Sequence, residues 1–183
     1  MQANEARFLL DFLLPQLKSE QAVTQRLLAS VPPDGESYKP GEKSMSAFEL
    51  ARHIALCELW FLDAVTQGEF GEITAPPDTV TTCQDLAVWY AGSARRRNAP
   101  IEQLSGESLA KPIDYLGLRN DPAVAYLNIA IRHTVHHRGQ LSAYLRGMGA
   151  RVPAIYVESA DEPFPPPPAG EGAGTPPPPP PAF

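Results

Sequence analysis

Four segments of the chain carry apolar residues at intervals of three and four, and this spacing limits its folds more than any other feature. An α-helix turns once every 3.6 residues, so the spacing places the apolar side chains on one helical face. Proline and glycine clusters separate the four segments. The pattern therefore predicts an all-α domain built from four amphipathic helices.

The first helix is predicted over residues 4–29, with Phe8 and Phe12 among the residues assigned to its apolar face. Pro15 falls inside this span. The missing N–H group and the ring clash of a proline cost about 3 kcal/mol in a helix interior. We therefore expect either a bend at Pro15 or a short first turn that ends before it.

Capping boxes mark the starts of the next two helices. Ser46 and Glu49 have the spacing at which each side chain satisfies a free backbone N–H group of the other residue, so the second helix should begin there and reach about Gln67. A similar signal at residues 82–85 begins a third helix, which should extend to Asn98 or slightly beyond. The buried side of the third helix is expected to hold Leu86, Val88, Trp89 and Tyr90.

The long connection of residues 106–120 contains an extended-looking stretch that indicates a short strand or hairpin. Asp121 and Pro122 then form a helix-start signal, because aspartate accepts from free N–H groups and proline lacks the hydrogen that would be unpaired there. The fourth helix should begin at this pair and end near Gly147 or Gly149.

The chain of 183 residues is long enough for one domain with a hydrophobic core. Beyond residue 162 the composition changes to proline and glycine, which cannot bury enough apolar surface to offset the ordering of the chain. We therefore divide the chain into a helical domain of residues 1–162 and a disordered Pro/Gly-rich tail of residues 163–183.

Charge and composition argue against several classes of partner. The formal net charge of −6 disfavours nucleic acid, which needs a clustered basic surface. No apolar run approaches the ~18 residues of a membrane span, and acidic residues interrupt the N-terminal apolar stretch, unlike a signal peptide. Cys57 and Cys83 lack the spacing of a thiolate zinc site or a disulfide framework. We expect a cytoplasmic protein that acts on small molecules.

The four histidines lie in two short patches, one with His53 and one with His133, His136 and His137. On a helix, His133 and His137 are only about 40° apart in azimuth and one turn apart along the axis, so their imidazoles can converge on one ion. Burying two such rings together costs free energy unless a partner engages their nitrogens. His136 is rotated away from this pair. His53 could supply a third ligand, although a lone histidine on an apolar helix is more often structural.

Other side chains near the histidines leave alternatives open. Glu49 and Cys57 share the approximate face of His53, so either could be a fourth ligand, and a thiolate would close the site. We favour an open position filled by water. Arg138 and Gln140 either hydrogen-bond to loops or ligands or simply belong to a polar surface.

The histidine of the second helix, together with His-x-x-x-His followed by Arg-Gly-Gln in the fourth, resembles the DinB family of metal-binding proteins over about residues 5–162. The resemblance implies a four-helix bundle with a long crossover connection, often a homodimer. It also implies that His53, His133 and His137 bind one divalent metal ion. Nickel and zinc are the ions we expect, although imidazole ligands also suit copper and iron.

The resemblance does not imply a single reaction. Relatives include thiol-dependent S-transferases and isomerases that use low-molecular-weight thiols, while others are proposed hydrolases or stress-response proteins. We expect a metal-dependent enzyme that transfers a small thiol to a small-molecule substrate or hydrolyses that substrate, with transfer slightly favoured. The alternative is a non-catalytic, metal-stabilised bundle that acts in the stress response, and a closed fourth coordination position would favour it.

Overall fold

Four long helices dominate the fold of residues 1–164, the part of the chain that the computed structural model describes. The elements in chain order are α1 (Ala3–Ala29), a 3-10 turn (Pro33–Gly35), α2 (Ala47–Gln67), α3 (Cys83–Glu102), α4 (Gly106–Ala110), β1 (Pro112–Tyr115), β2 (Arg119–Pro122) and α5 (Ala125–Gly147). The all-α prediction is confirmed. Within the same residues, no helix combines the length and the apolar content that crossing a membrane requires. The predicted tail lies outside the described residues from position 165 onward, and the domain boundary stays a prediction.

Helix α1 continues through Pro15, whose ring lies on the exposed side, so the predicted early break does not occur. The prediction that Phe8 and Phe12 face the core is wrong, because their side chains are 69% and 60% exposed. Residues two positions further along, Leu10 and Leu14, are buried instead. This first helix has apolar residues on more than one side, and packing decides which side is covered.

Helix α2 begins and ends as its sequence predicts. The N–H group of Glu49 donates to Ser46 Oγ at 3.1 Å, and the N–H group of Ser46 donates to Glu49 Oε2 at 2.6 Å. Both bonds of the predicted capping box are therefore present. After Gln67, Gly68 takes a left-handed conformation with φ 80° and its N–H group closes the last turn on Ala64 O.

Helix α3 extends four residues beyond Asn98 and includes Pro100 near its end. Leu86 and Tyr90 are fully buried, as predicted, and Trp89 is half-buried. Val88 is exposed, which contradicts the prediction. Two residues of helix correspond to about 200° of rotation, so a side chain midway between Leu86 and Tyr90 faces away from both of them.

The predicted hairpin is present as the antiparallel pair β1–β2, and the short helix α4 before it was not predicted. The predicted start of the fourth helix at Asp121 and Pro122 is wrong, because these residues end strand β2. The N–H group of Ala123 then donates to Lys111 O at 2.9 Å. This backbone pairing holds residues 119–122 extended, and α5 begins only at Ala125 without a side-chain cap.

The long helices pack in the cyclic order α1–α3–α2–α5, so α3 and α5 lie diagonally opposite each other. The connection of residues 103–124 crosses between them, as expected for a bundle with a long crossover. Two apolar clusters fill the interior, one around Ile54 and Leu141 and the other around Leu10 and Phe61. Helix α5 packs mainly on α2, which places the two histidine patches beside each other.

Candidate metal centre

Three histidines meet where α2 packs against α5. The Nε2 atom of His53 lies 3.2 Å from that of His133 and 3.2 Å from that of His137. One ring nitrogen from each residue can be chosen so that all three lie within 4.8 Å of one another. The structure therefore brings together the three residues singled out in the sequence, and this cluster could bind a metal ion.

The spacing of residues along α5 brings two of the three histidines together. His133 and His137 are one turn apart on α5, and their ring centroids are 4.5 Å apart. His53 comes from the second turn of α2, with its centroid 4.9 Å from that of His133 and 4.6 Å from that of His137. All three side chains are half-buried, so a small molecule has partial access to the cluster.

The three Nδ1 atoms lie in different surroundings. His137 Nδ1 lies 3.1 Å from Gln140 Oε1, an acceptor, so this nitrogen carries the hydrogen and leaves the Nε2 lone pair free. His53 Nδ1 lies 3.4 Å from the sulfur of Cys57. His133 Nδ1 is buried and has no hydrogen-bond partner among residues 1–164. The Nε2 atoms are thus the ones directed at the shared centre.

Burial and mutual repulsion lower the pKa of two of these imidazoles, those of His133 and His53. Burial, followed by the positive charge that His137 and His53 would carry, lowers the pKa of His133 to about 4. The same two effects, burial and then His137, also lower the pKa of His53. A metal ion binds the unprotonated ring, so the surroundings of His133 and His53 favour the form that an ion requires.

The other candidate ligands lie outside the cluster. His136 is exposed, in keeping with its predicted rotation away from the pair. The Glu49 carboxylate is engaged by the Ser46 N–H group and lies 3.4 Å from Lys39 Nζ, so the helix cap holds it. Cys57 Sγ is 3.9 Å from His53 Nε2, and burial raises the pKa of its thiol. Among the described residues, neither Glu49 nor Cys57 joins the three-histidine group.

Arg138, which follows His137, is a buried charge and not part of a polar surface. Its side chain is 1% exposed and forms an ion pair with Glu20 of α1. Its guanidinium group also donates to Glu20 O at 3.2 Å, to Thr24 Oγ1 at 3.4 Å and to the Tyr156 hydroxyl. Gln140, in contrast, is exposed and contacts His137. Arg138 therefore hydrogen-bonds to neighbouring segments of the chain, whereas Gln140 lies on the polar surface beside a proposed ligand.

Glu58 was not identified as a buried residue from the sequence. Its position among apolar neighbours on an enclosed helix was a signal that could have identified it. Glu58 is fully buried and accepts hydrogen bonds from Tyr90 Oη at 2.7 Å, Thr134 Oγ1 at 2.8 Å and Gln21 Nε2 at 3.0 Å. Burial raises the pKa of Glu58, and these hydrogen bonds with the charge of Arg138 oppose the rise.

Aromatic rings border one side of the histidine cluster. The Phe61 ring centroid is 6.2 Å from that of His133, and Phe61 is in contact range of Trp60, Phe70 and Tyr115. Trp60, Phe70 and Tyr115 are half-buried. The cluster therefore combines three polar nitrogens with an apolar wall on the same side of the bundle.

Comparisons with known proteins agree with this structure. The DinB family profile matches residues 2–167 of the chain. YjoA of Bacillus subtilis is 34% identical over 133 residues, which cover 72% of this chain and 85% of YjoA.

Solved structures show the same fold. The crystal structure of a DinB-like protein, YjoA from Bacillus subtilis, superposes with a TM-score of 0.66 at 31% identity and covers 78% of this chain and 96% of its own. A DinB-like protein from Bacillus cereus has a TM-score of 0.67 at 23% identity, with 79% of this chain and 95% of its own covered, and supports the fold alone. Because the family profile spans nearly the whole described chain, this protein is a member of the DinB family.

Proposed function

We propose that His53, His133 and His137 bind one divalent ion, nickel or zinc, through their Nε2 atoms. The convergence of these three nitrogens carries the proposal. Zinc–nitrogen bonds are about 2.0–2.1 Å long, so two ligands at a tetrahedral angle have nitrogens about 3.3 Å apart. The Nε2 atom of His53 lies 3.2 Å from each of the other two Nε2 atoms, close to this spacing.

Neighbouring groups support the same assignment. Gln140 accepts the Nδ1 hydrogen of His137 and so fixes both the tautomer and the ring orientation. Three neutral ligands leave the ion's full charge, and an open fourth position suits a catalytic site more than a structural one. Since Glu49 is held in the helix cap, that position is left to water or to a small-molecule ligand.

We further propose that the protein is an enzyme that transfers a low-molecular-weight thiol to an electrophile, or that hydrolyses a small-molecule substrate. A bound divalent ion supplies Lewis acidity, which lowers the pKa of a coordinated thiol or water. The half-buried rings of Trp60, Phe70 and Tyr115, which pack on the buried Phe61, offer a surface for the apolar part of the substrate. Thiol transfer is favoured over hydrolysis by family analogy.

A non-catalytic bundle in the stress response is the second candidate, and Cys57 is the observation that favours it. Its sulfur lies 3.9 Å from His53 Nε2, so a modest side-chain movement would let a thiolate close the fourth position. The ion would then stabilise the folded chain without activating a substrate.

The experiment is a turnover assay on the purified protein, first with its metal content measured and then loaded with nickel or zinc. A panel of small thiols is tested with a chromogenic electrophile, and a panel of activated esters tests hydrolysis. Turnover that disappears with a chelator and in His137→Ala, but persists in His136→Ala, supports the enzyme. Metal that raises the melting temperature without any turnover supports the non-catalytic bundle. A wild-type protein that retains no metal contradicts both.

The expected homodimer and the cytoplasmic location stay predictions. Phe8 and Phe12 lie one turn apart on the exposed side of α1 and form an apolar patch that a second copy of the chain could cover. Sedimentation of the wild type and of Phe8→Asp tests this face. A monomeric wild type would contradict the homodimer.

A further inference from the structure

One buried carboxyl group connects the four long helices. Glu58 of α2 accepts a hydrogen bond from Thr134 of α5 at 2.8 Å, from Tyr90 of α3 at 2.7 Å and from Gln21 of α1 at 3.0 Å. The side chain is fully buried, and Thr134 and Tyr90 are fully buried with it. Each helix of the bundle is thus tied to the same two oxygen atoms.

Thr134 has a special position on α5 because it directly follows His133. Arg138, one turn later, directly follows His137 and forms the ion pair with Glu20 of α1. Successive residues are about 100° apart on a helix, so these two anchors lie on one face and the histidines on the next. Holding the anchor face against the interior therefore sets the direction in which the histidines point.

We propose that Glu58 is a positioning residue for the candidate metal centre: its hydrogen bond to Thr134 fixes the rotation of α5 at which His133 and His137 reach His53. The inference rests on the proposed metal-binding function. Side chains extend about 6 Å from a helix axis, so a rotation of about 20° would move a ligand nitrogen by about 2 Å. Metal–ligand distances tolerate only about 0.2 Å.

The cost of burial supports a positional role for Glu58. Taking a carboxyl group out of water is unfavourable, and an apolar side chain of similar volume at such a position is often neutral or stabilising. Directional hydrogen bonds provide what an apolar side chain cannot, namely a fixed angular relation between α2 and α5. On α5, the residue that donates to Glu58 is Thr134, which directly follows the proposed ligand His133.

The test compares two substitutions that each remove one hydroxyl donor from the same carboxyl group. Thr134→Val breaks the bond to α5, and Tyr90→Phe breaks the bond to α3. Zinc affinity is measured by competition with a chromogenic chelator, and the absorption spectrum of the cobalt-loaded protein reports ligand geometry. We expect Thr134→Val to weaken zinc binding by about tenfold or more and to change the cobalt spectrum. Thr134→Ser, which keeps the hydroxyl, should restore both.

Tyr90→Phe should keep the zinc affinity and the cobalt spectrum of the wild type while its melting temperature falls. Equal loss of affinity in Thr134→Val and Tyr90→Phe would mean general loosening of the core and would overturn the inference. Unchanged affinity in Thr134→Val would also overturn it while leaving the metal site intact. A wild type that binds no zinc would instead overturn the proposed function, and the inference with it. Should Thr134→Val fail to fold, Thr134→Ala serves in its place.

Discussion

Replacing Arg138 with methionine is expected to destabilise the metal-free bundle by about 3 kcal/mol, since breaking a buried ion pair from one side costs about 3–5 kcal/mol. The Arg138 side chain is 1% exposed, whereas that of its partner Glu20 is 17% exposed. Water can therefore reach the orphaned carboxylate in part, which places the loss at the lower end of this range. Methionine retains the apolar stem of arginine, so the loss reports the charge and its hydrogen bonds.

Replacing the other partner of the ion pair, Glu20, should lower the free energy of unfolding by more. Glu20→Gln leaves a guanidinium group that is almost inaccessible to water without its counter-charge, and we expect a loss of about 4–5 kcal/mol. Replacing both residues with methionine removes both charges together and should recover most of either loss. The order of the three variants therefore follows from the unequal burial of the two partners.

Urea unfolding at neutral pH with a chelator present, followed by circular dichroism, measures these differences, and unchanged slopes would show that the denatured state is unaffected. The Arg138→Met loss corresponds to a melting temperature lower by about 6–12 °C for a domain of this size. A loss below about 1 kcal/mol would put the pair in the class of exposed ion pairs and refute the reasoning. So would a smaller loss in Glu20→Gln than in Arg138→Met.

Four further substitutions test separate parts of the account. Ser46→Ala should lower thermal stability by about 1 kcal/mol through loss of the α2 cap, and an unchanged melting curve would contradict that role. Tyr126→Phe removes the hydroxyl that donates to Ile113 O at 2.8 Å and should cost about 1–2 kcal/mol in urea. Cys57→Ser should retain full metal stoichiometry in dialysis, and a loss of metal would identify a sulfur ligand. Because burial raises the pKa of Glu58, its protonated form stabilises the fold fully below the unfolded value near 4.5, and this contribution is lost as pH rises through the raised pKa. Above pH 4.5, the unfolding free energy of Glu58→Gln should therefore fall less steeply with pH than that of the wild type. Equal slopes in the two proteins would contradict the raised pKa of Glu58.

The local features of the fold could be predicted from the sequence, because their causes lie within a few residues. The capping box of Ser46 and Glu49 and the convergence of His133 with His137 depend only on helical geometry. The start of α5 could not be predicted, because strand pairing competes with the helix signal at Pro122. Phe8 was misplaced for a related reason: apolar residues on several sides of α1 do not show which side a neighbouring helix will cover.

In the candidate site, too, the features that depend on packing between helices could not be predicted from local sequence. The approach of His53 to the α5 pair depends on how α2 packs against α5. Before the structure, only the family resemblance favoured a ligand role for His53 over a structural one. The partners of Glu58 are 32 to 76 residues away in sequence, so no local pattern reveals them. What the sequence does show is a charged residue among apolar neighbours on an enclosed helix, a signal that deserves a search for buried partners.

Equilibrium dialysis against nickel and zinc, followed by elemental analysis, tests the three-histidine site most directly. The wild type and His136→Ala should each retain about one ion per chain, since His136 is exposed and lies outside the cluster. Separate replacement of His53, His133 or His137 with alanine should abolish retention while the helical circular dichroism persists. Equal retention in all variants, or equal loss in His136→Ala and the other three, would contradict a site built on these three imidazoles.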